Sequence, residues 1–420
     1  MVQKYKNEAG LTETEPPQII IFTPTMHDVV SLASLFEDSI VAFSNKTDKE
    51  LKNAFRLFQS FNNPLLLKIG TSLTNLAFQL HLPIEPIVKA TAYKQFCGGE
   101  TLQECEAVIE HLSENKIFTA LQFSVETKSS EEEFDKITNE LLQSIAFASK
   151  QEHVKVVCCK PTGIASIELL ERLHAKSEVS NAENEALERV RQRMIRICEA
   201  AATADKKLFF DAEETWIQQP LDDLVNEMML RFNKQKPVVY NTFQLYAKHR
   251  LAALEQTVQK AKSGNYIAGA KLVRGAYMEK ERERALKENY PSPIQNNKEA
   301  TDKVYNAALE FCLHHLDAIA VNAATHNEAN CLRLIHIMEE KRLPRNHPHI
   351  LFSQLYGMGE HITYNLAKAG YNAMKLVPYG PVREAIPYLI RRAQENSSVS
   401  GQVGKELVMI EKEMKRRRIR

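Results

Sequence analysis

The sequence predicts an α/β protein built on a (β/α)8 barrel of the TIM type, and three observations carry that expectation. Short apolar runs recur eight times between residues 119 and 377, and helix-patterned spans separate them. Strands alternating with helices call for a parallel sheet, and eight repeats are the number that closes one. No G-x-G-x-x-G follows the first run, which leaves an open doubly wound sheet as the weaker alternative.

Taken in order, residues 1–26 are polar with Pro16, Pro17 and Pro24, and read as a loose arm. The next eighty or so residues, roughly 28–105, have helical texture, with apolar spacing over 51–61 and 65–80 and breaks at Pro64, Pro83 and Pro86. Residues 1–112 are therefore expected to form an N-terminal helical arm outside the main fold. The barrel domain is expected over 113–402, with strands at 119–123, 154–159, 208–210, 238–241, 267–273, 318–323, 350–352 and 373–377. Helices are expected between them, over 132–149, 186–202, 222–232, 250–263 and 327–342, while 176–183 reads as a polar loop or helix extension. The remainder, 403–420, predicts a basic C-terminal helix that finishes Lys415-Arg416-Arg417-Arg418. A solvated helix end explains that run, and contact with an anionic membrane surface is its functional reading.

Composition excludes several classes. A 420-residue chain with 44% hydrophobic and 25% charged residues can bury a full core, and a net charge of +1 argues against nucleic-acid binding. No run approaches the roughly 18 apolar residues of a membrane span, and the first residues show no secretory pattern. Seven scattered cysteines predict reduced thiols and a cytoplasmic protein, with the adjacent Cys158 and Cys159 as core filler. No His/Cys pair has metal-ligand spacing, so no metal is expected.

In a barrel the chemistry collects at the C-terminal strand ends. Those ends read Gln122 and Glu126, Lys160, Asp211 with Glu213 and Glu214, Asn241 and Gln244, Lys271 with Arg274, Gly275 and Tyr277, then Thr325 and His326, Gln354 and Tyr356, and Tyr379. After the last comes Tyr388-Leu389-Ile390-Arg391-Arg392-Ala393-Gln394-Glu395-Asn396, helical by its apolar spacing, with Pro387 just ahead of it. Tyr388 lies one turn before both arginines, and Glu395 is spaced to brace either guanidinium. Paired guanidinium forks suit a carboxylate or phosphate. Lys160, Lys271, Arg274, Arg391 and Arg392 thus predict five cations around one mouth, which expects a carboxylate substrate and a phosphate-bearing cofactor.

Five stretches carry a resemblance: Leu208-Phe209-Phe210-Asp211-Ala212-Glu213-Glu214, Asn241-Thr242-Phe243-Gln244-Leu245-Tyr246, Lys271-Leu272-Val273-Arg274-Gly275-Ala276-Tyr277, Ala324-Thr325-His326-Asn327 and Tyr388 to Asn396. In order and content they resemble proline dehydrogenase, the flavoenzyme family of proline breakdown, over about residues 90–405. The resemblance implies a distorted (β/α)8 barrel holding FAD, a final helix roofing the substrate, and electrons passed to a membrane quinone. It implies that Lys160, Arg391 and Arg392 hold the proline carboxylate and that Tyr277 and Tyr388 close over the ring. Asp211 and Lys271 match catalytic positions, Lys271 near flavin N5. Ala212, Gln244, Val273, Arg274, Gly275, Thr325 and His326 match FAD contacts, Glu395 is expected on the cofactor side, and Glu126 matches an acidic gate residue.

Three positions depart from the family pattern. Leu376 stands where proline-preferring members carry tyrosine and hydroxyproline-preferring ones serine. Gln122 replaces a usual aspartate, and Lys271 replaces the arginine of one bacterial branch. The expected activity is oxidation of L-proline to Δ1-pyrroline-5-carboxylate. Hydroxyproline oxidation, a flavin-binding scaffold with impaired turnover, and a Schiff-base lyase using Lys160 or Lys271 are the competing readings.

Overall fold

Eight parallel strands close into one barrel. They are β1 (Phe118–Phe123), β2 (Val154–Cys159), β3 (Lys207–Phe210), β4 (Val239–Gln244), β5 (Ala268–Val273), β6 (Ile319–Ala324), β7 (Ile350–Leu355) and β8 (Ala373–Tyr379). Each pairs with its successor in the chain, and β8 returns to pair with β1. The computed structural model describes residues 34–63, 82–124, 128–398 and 402–419, with isolated positions between 70 and 80; of 394–398 and 402–403 it describes the backbone only. The chain divides into Met1–Leu35 and Phe36–Arg420, and the barrel with its helices belongs to the second unit. The arm expected over 1–26, and most of the helix expected over 65–80, lie outside the described residues.

Period-2 alternation sorts each strand's side chains between the barrel axis and the surrounding helices. Ala120, Val156, Cys158, Phe209, Tyr240, Ala320, Leu351, Met374 and Leu376 form the packed interior. Polar residues on the same inward faces, one step nearer the C-terminal ends, meet at the mouth. Three strands run two or three residues further than their apolar runs predict: β4 to Gln244, β7 to Leu355 and β8 to Tyr379. The neighbouring ladder holds them, pairing Gln244 with Val273 and Gln122 with Pro378. A polar residue does not end a strand whose backbone is still bonded on both sides.

The helices are α1 (Asp48–Phe61), α2 (Glu106–Glu114), α3 (Glu131–Ser149), α4 (Ile167–His174), α5 (Asn181–Thr203), α6 (Thr215–Phe232), α7 (Arg250–Gly264), α8 (Met278–Lys287), α9 (Lys298–His314), α10 (Glu328–Glu340), α11 (Glu360–Lys368), α12 (Val382–Ser398) and α13 (Gln402–Arg416), with shorter turns between. Ser180 and Glu183 make a capping box that starts α5 five residues ahead of the apolar pattern, so the polar stretch 176–183 is loop up to Ser180 and helix from Asn181. α6 starts seven residues earlier than expected and keeps Pro220 inside it. Its first turn is capped from elsewhere: Glu281 accepts hydrogen bonds from Thr215 N–H and Oγ1, both at 2.7 Å. α12 likewise starts ahead of Pro387 rather than after it, its first N–H donating to Glu100 at 3.3 Å.

α1 is capped by a Thr47–Glu50 box and buries Leu51, Ala54, Phe58 and Phe61. These join Phe96, Tyr388, Leu389, Ala393, Met409 and Ile410 in a second core. That core clamps one face of α12 between α1 and α13, and it decides where the arginines of α12 point. The basic end of the chain is engaged in the same region. Arg416 and Arg417 both bond the fully buried Glu413 carboxylate at 2.7 Å, and Arg417 also donates to the carbonyls of Phe43 and Lys46 at 2.6 Å.

Candidate active site

Three inward side chains from β1, β5 and the end of β3 converge at the C-terminal mouth. Lys271 Nζ donates to Asp211 Oδ1 at 2.6 Å, and Gln122 Nε2 donates to Asp211 Oδ2 at 2.7 Å. Lys271 is only 6% exposed and lies over the Phe209 ring at 6.0 Å. Burial alone would push its pKa down, but the Asp211 carboxylate outweighs that and the net shift is upward. Lys271 is therefore a fixed cation at neutral pH. Gln122 gives Asp211 a neutral donor on its second oxygen.

Beside this triad, Glu213 organises the loop after β3. It is 1% exposed; Oε1 accepts from Thr162 Oγ1 at 2.8 Å and Oε2 from Tyr277 OH at 2.9 Å. Burial raises its pKa against the opposing charge of Lys160, and it pushes the Tyr277 phenol up as well. Gln244 ties the neighbouring loop in: its amide donates to Glu213 O at 2.7 Å and accepts from Ala276 N–H at 3.0 Å. Gly275 between them has φ +147°, and a Cβ there would sit 1.8 Å from the Tyr246 ring, so only glycine fits.

Arg274 turns toward the helices. It pairs with Asp302, donates to Asn330 Oδ1 at 2.6 Å and lies over the Tyr305 ring at 5.6 Å. Thr325 is buried, its hydroxyl accepting from Asn327 N–H at 3.1 Å. His326 Nε2 accepts from Leu355 N–H at 3.2 Å, so the neutral ring carries its hydrogen on Nδ1. Burial first, then the charges of Lys375 and Arg392, lower its pKa to about 3. The Nδ1 is buried and has no partner among the described residues. Gly359, at φ +63°, leaves space beside it that a Cβ would close to 2.9 Å.

On α12, Tyr388 is buried and the Arg392 guanidinium lies over its ring at 5.3 Å. Tyr388, Leu389 and Ala393 pack in the second core, and the arginines beside them act by charge on groups at the mouth. Arg391 acts by charge on Tyr277, and Arg392 on Lys271 and His326. Lys160 follows β2 and opens the turn Pro161–Gly163, where its charge acts on Glu213. The structure thus brings together Asp211, Lys271, Gln122, Tyr277, Lys160, Arg391 and Arg392. Ala212 is buried beside them, and Val273 ends β5. Leu376 lies on the inward face of β8, within the apolar interior. Glu126 and the side chain of Glu395 lie outside the described residues.

Two groups carry more of the site than sequence reasoning assigned them. Glu213 reads only as one of several polar residues after β3, although its spacing of two from Asp211 was the available signal. Asn322 sits on the inward face of β6, paired in register with Lys271, and both its amide atoms are buried without a partner among the described residues. Nothing in the sequence distinguishes it from an ordinary strand asparagine.

Comparison with known proteins matches the proline dehydrogenase family description to residues 105–405. The chain belongs to the proline dehydrogenase family. A hydroxyproline dehydrogenase from Xenopus laevis is 30% identical over 415 residues, covering 89% of this chain and 88% of its own. The carbapenem antibiotics biosynthesis protein CarD of Pectobacterium carotovorum subsp. carotovorum is 35% identical over 322 residues, covering 77% and 83%. The proline dehydrogenase 1, mitochondrial, of Dictyostelium discoideum is 29% identical over 428 residues, covering 90% and 74%. Among solved structures, proline utilization A from Bdellovibrio bacteriovorus superposes with a TM-score of 0.70 at 19% identity, a likeness of fold. The match covers 90% of this chain, which spans 42% of that longer one.

The family is one of FAD-dependent oxidoreductases, and the residues present fit that cofactor. The His326 Nδ1–H is a buried donor facing no protein acceptor among the described residues, and both Asn322 amide atoms are buried and unsatisfied, while Lys271 and Arg274 are cations already paired with Asp211 and Asp302. A flavin ring with carbonyl and nitrogen acceptors and an N–H donor would answer both unsatisfied groups.

Proposed function

We propose that this protein oxidises L-proline to Δ1-pyrroline-5-carboxylate with FAD and passes the electrons to a membrane quinone. The observation that carries this reading is the buried Lys271–Asp211–Gln122 triad, within charge range of Arg392 on α12: a fixed cation held by a carboxylate that two donors bind. FAD supplies the two-electron acceptor chemistry when bound. Ala212, Gln244, Val273, Arg274, Gly275, Thr325, His326 and Glu395 would hold it, and Lys271 would offset negative charge gained on reduction.

The chain's own residues position the substrate. Arg391, Arg392 and Lys160 bind the carboxylate, leaving the far ring carbon to face the cofactor. Tyr277 and Tyr388 close over the ring, and Glu126 serves as a gate. A cation-rich mouth favours the neutral amine, the form from which hydride can leave. Leu376 adds an apolar surface that suits an unsubstituted ring. Hydroxyproline is the second reading, favoured by the Xenopus relative's coverage of both chains.

We read residues 1–112 as an arm, 113–402 as the catalytic domain and 403–420 as a terminal helix. We place the protein in the cytoplasm, at the inner face of the membrane that holds the quinone. All seven cysteines are buried and unpaired, as in a reducing compartment, although several curated relatives are named mitochondrial. Among the described residues no helix is long and apolar enough to cross a membrane.

The test is spectroscopic. Purified protein should be yellow, and its flavin absorption should bleach on anaerobic addition of L-proline and return with a soluble quinone. Colour that proline leaves unchanged would refute the reading. Acid precipitation should release the flavin, since no residue is identified for covalent attachment.

A further inference from the structure

At the opposite, N-terminal mouth of the barrel lies a cluster of cations that the proposed chemistry does not use. A cavity of about 150 Å³ is lined there by Lys206, Lys207, Lys236, Asp205, Pro348 and His349. These residues lead into β3, β4 and β7, and β7 stands across the closed ring from the other two, so the cavity sits over the barrel axis. Lys207 is two residues ahead of Phe209, and His349 two ahead of Leu351, both of which belong to the packed interior. By period-2 alternation Lys207 and His349 also point inward.

Most of the neighbouring cations have partners. Lys236 pairs with Asp205, Lys206 Nζ donates to Gln151 O at 3.0 Å, and Lys155 lies over the Phe118 ring at 5.3 Å. Lys207, half-buried, makes no hydrogen bond or ion pair among the described residues. Burial lowers its pKa, and with Asp205 opposing, Lys155, Lys236 and Lys206 lower it further. Four lysines thus share one mouth, and the carboxylates that act on Lys206 and Lys207 there are Asp205 and Glu152. A half-buried lysine with three like-charged neighbours and an open cavity before it is a place where an anion from outside the chain would be stabilised.

We propose that the N-terminal barrel mouth binds a phosphate-type dianion: inorganic phosphate or the phosphoryl end of a small metabolite. The cavity is below the roughly 300–1,000 Å³ of drug-sized ligand sites, which excludes a nucleotide and admits a single phosphoryl group. A phosphoryl group carries about −1.5 to −2 charges at neutral pH and has several acceptor oxygens, matching clustered ammonium donors better than one carboxylate would. The site is independent of the proline reading, since it lies at the other end of the barrel from Asp211 and Lys271.

Thermal unfolding of the flavin-loaded full chain tests it, in inorganic phosphate or glycerol 3-phosphate with ionic strength held constant by chloride. Phosphate should raise the Tm saturably, and Lys207→Met should raise the half-saturating concentration roughly tenfold or more. Lys155→Met, which removes a more peripheral charge, should weaken binding less, and it carries the test if Lys207→Met fails to fold. A stronger response to glycerol 3-phosphate identifies a phosphorylated metabolite, and the reverse order identifies free phosphate. Three results overturn the proposal: no phosphate-specific rise, a rise unchanged in both lysine variants, or a rise kept in Lys207→Met and lost in Arg391→Met. The last would put the anion at the other mouth.

Discussion

Lys271→Met isolates the charge on which the site is built. Lys271 Nζ and Asp211 Oδ1 are 2.6 Å apart, with side-chain exposures of 8% and 18%. Unit charges at that distance attract by about 6 kcal/mol at an effective dielectric near 20, and burying both takes several back. Deleting one partner keeps the burial and discards the attraction, which costs about 3–5 kcal/mol. Gln122 still donates to Asp211, so the lower half of that range is expected. The double variant Lys271→Met/Asp211→Asn leaves no unpaired charge and should recover most of the loss. Urea unfolding measures both, and steady-state kinetics with proline separates stability from function. The double variant should remain at least about a hundredfold down in kcat/KM, because the cation is still missing. A single variant as stable as the parent, or a double variant no more stable than the single, would refute the account of Lys271 as a buried, compensated cation.

Other perturbations have equally definite outcomes. Arg391→Met or Arg392→Met should raise the KM for proline roughly tenfold to a hundredfold, at about 1.5–3 kcal/mol per charge-assisted bond, with little change in unfolding; unchanged kinetics would reduce the pair to a solvated basic turn. Leu376→Ser should narrow the preference for proline over hydroxyproline, since a hydroxyl buried against leucine costs about 1–3 kcal/mol, roughly tenfold to a hundredfold. Equal kcat/KM for both substrates in the parent would place Leu376 away from the ring. His326, lowered to about 3 from an ordinary 6.5, stays neutral in the fold while the unfolded chain takes up a proton. Its contribution is therefore fully present above pH 6.5 and is lost as pH falls toward 3, amounting to about 2 kcal/mol between pH 8 and pH 5. Urea midpoints across that range should fall less steeply for His326→Gln than for the parent, and parallel curves would contradict a buried neutral ring.

The barrel and its order of elements were legible in the chain because both are local in origin. A strand buried on two faces must be a short apolar run, and a crossover helix must carry a 3.6-residue stripe, so eight repeats of each could be counted. The strand-end residues Asp211, Lys271, Tyr277, Thr325 and His326 were readable for the same reason. Element boundaries were less legible where a distant residue sets them: Glu281 caps α6 from 66 residues away, and Glu100 meets the first N–H of α12. Tertiary structure alone decided the site's electrostatics. That Gln122 and Lys271 share the two oxygens of Asp211, that Glu213 joins Thr162 to Tyr277, and that Asn322 stands beside Lys271 follow from the register of strands far apart in sequence. The same holds for Arg417, which reads as part of a solvated basic end: its bond to Glu413 is a local i,i+4 contact on α13, but its bonds to the Phe43 and Lys46 carbonyls depend on how that helix packs. Sequence pattern reports which face of an element is apolar; which charges then face one another depends on how the closed ring and the two flanking helices bring those faces together.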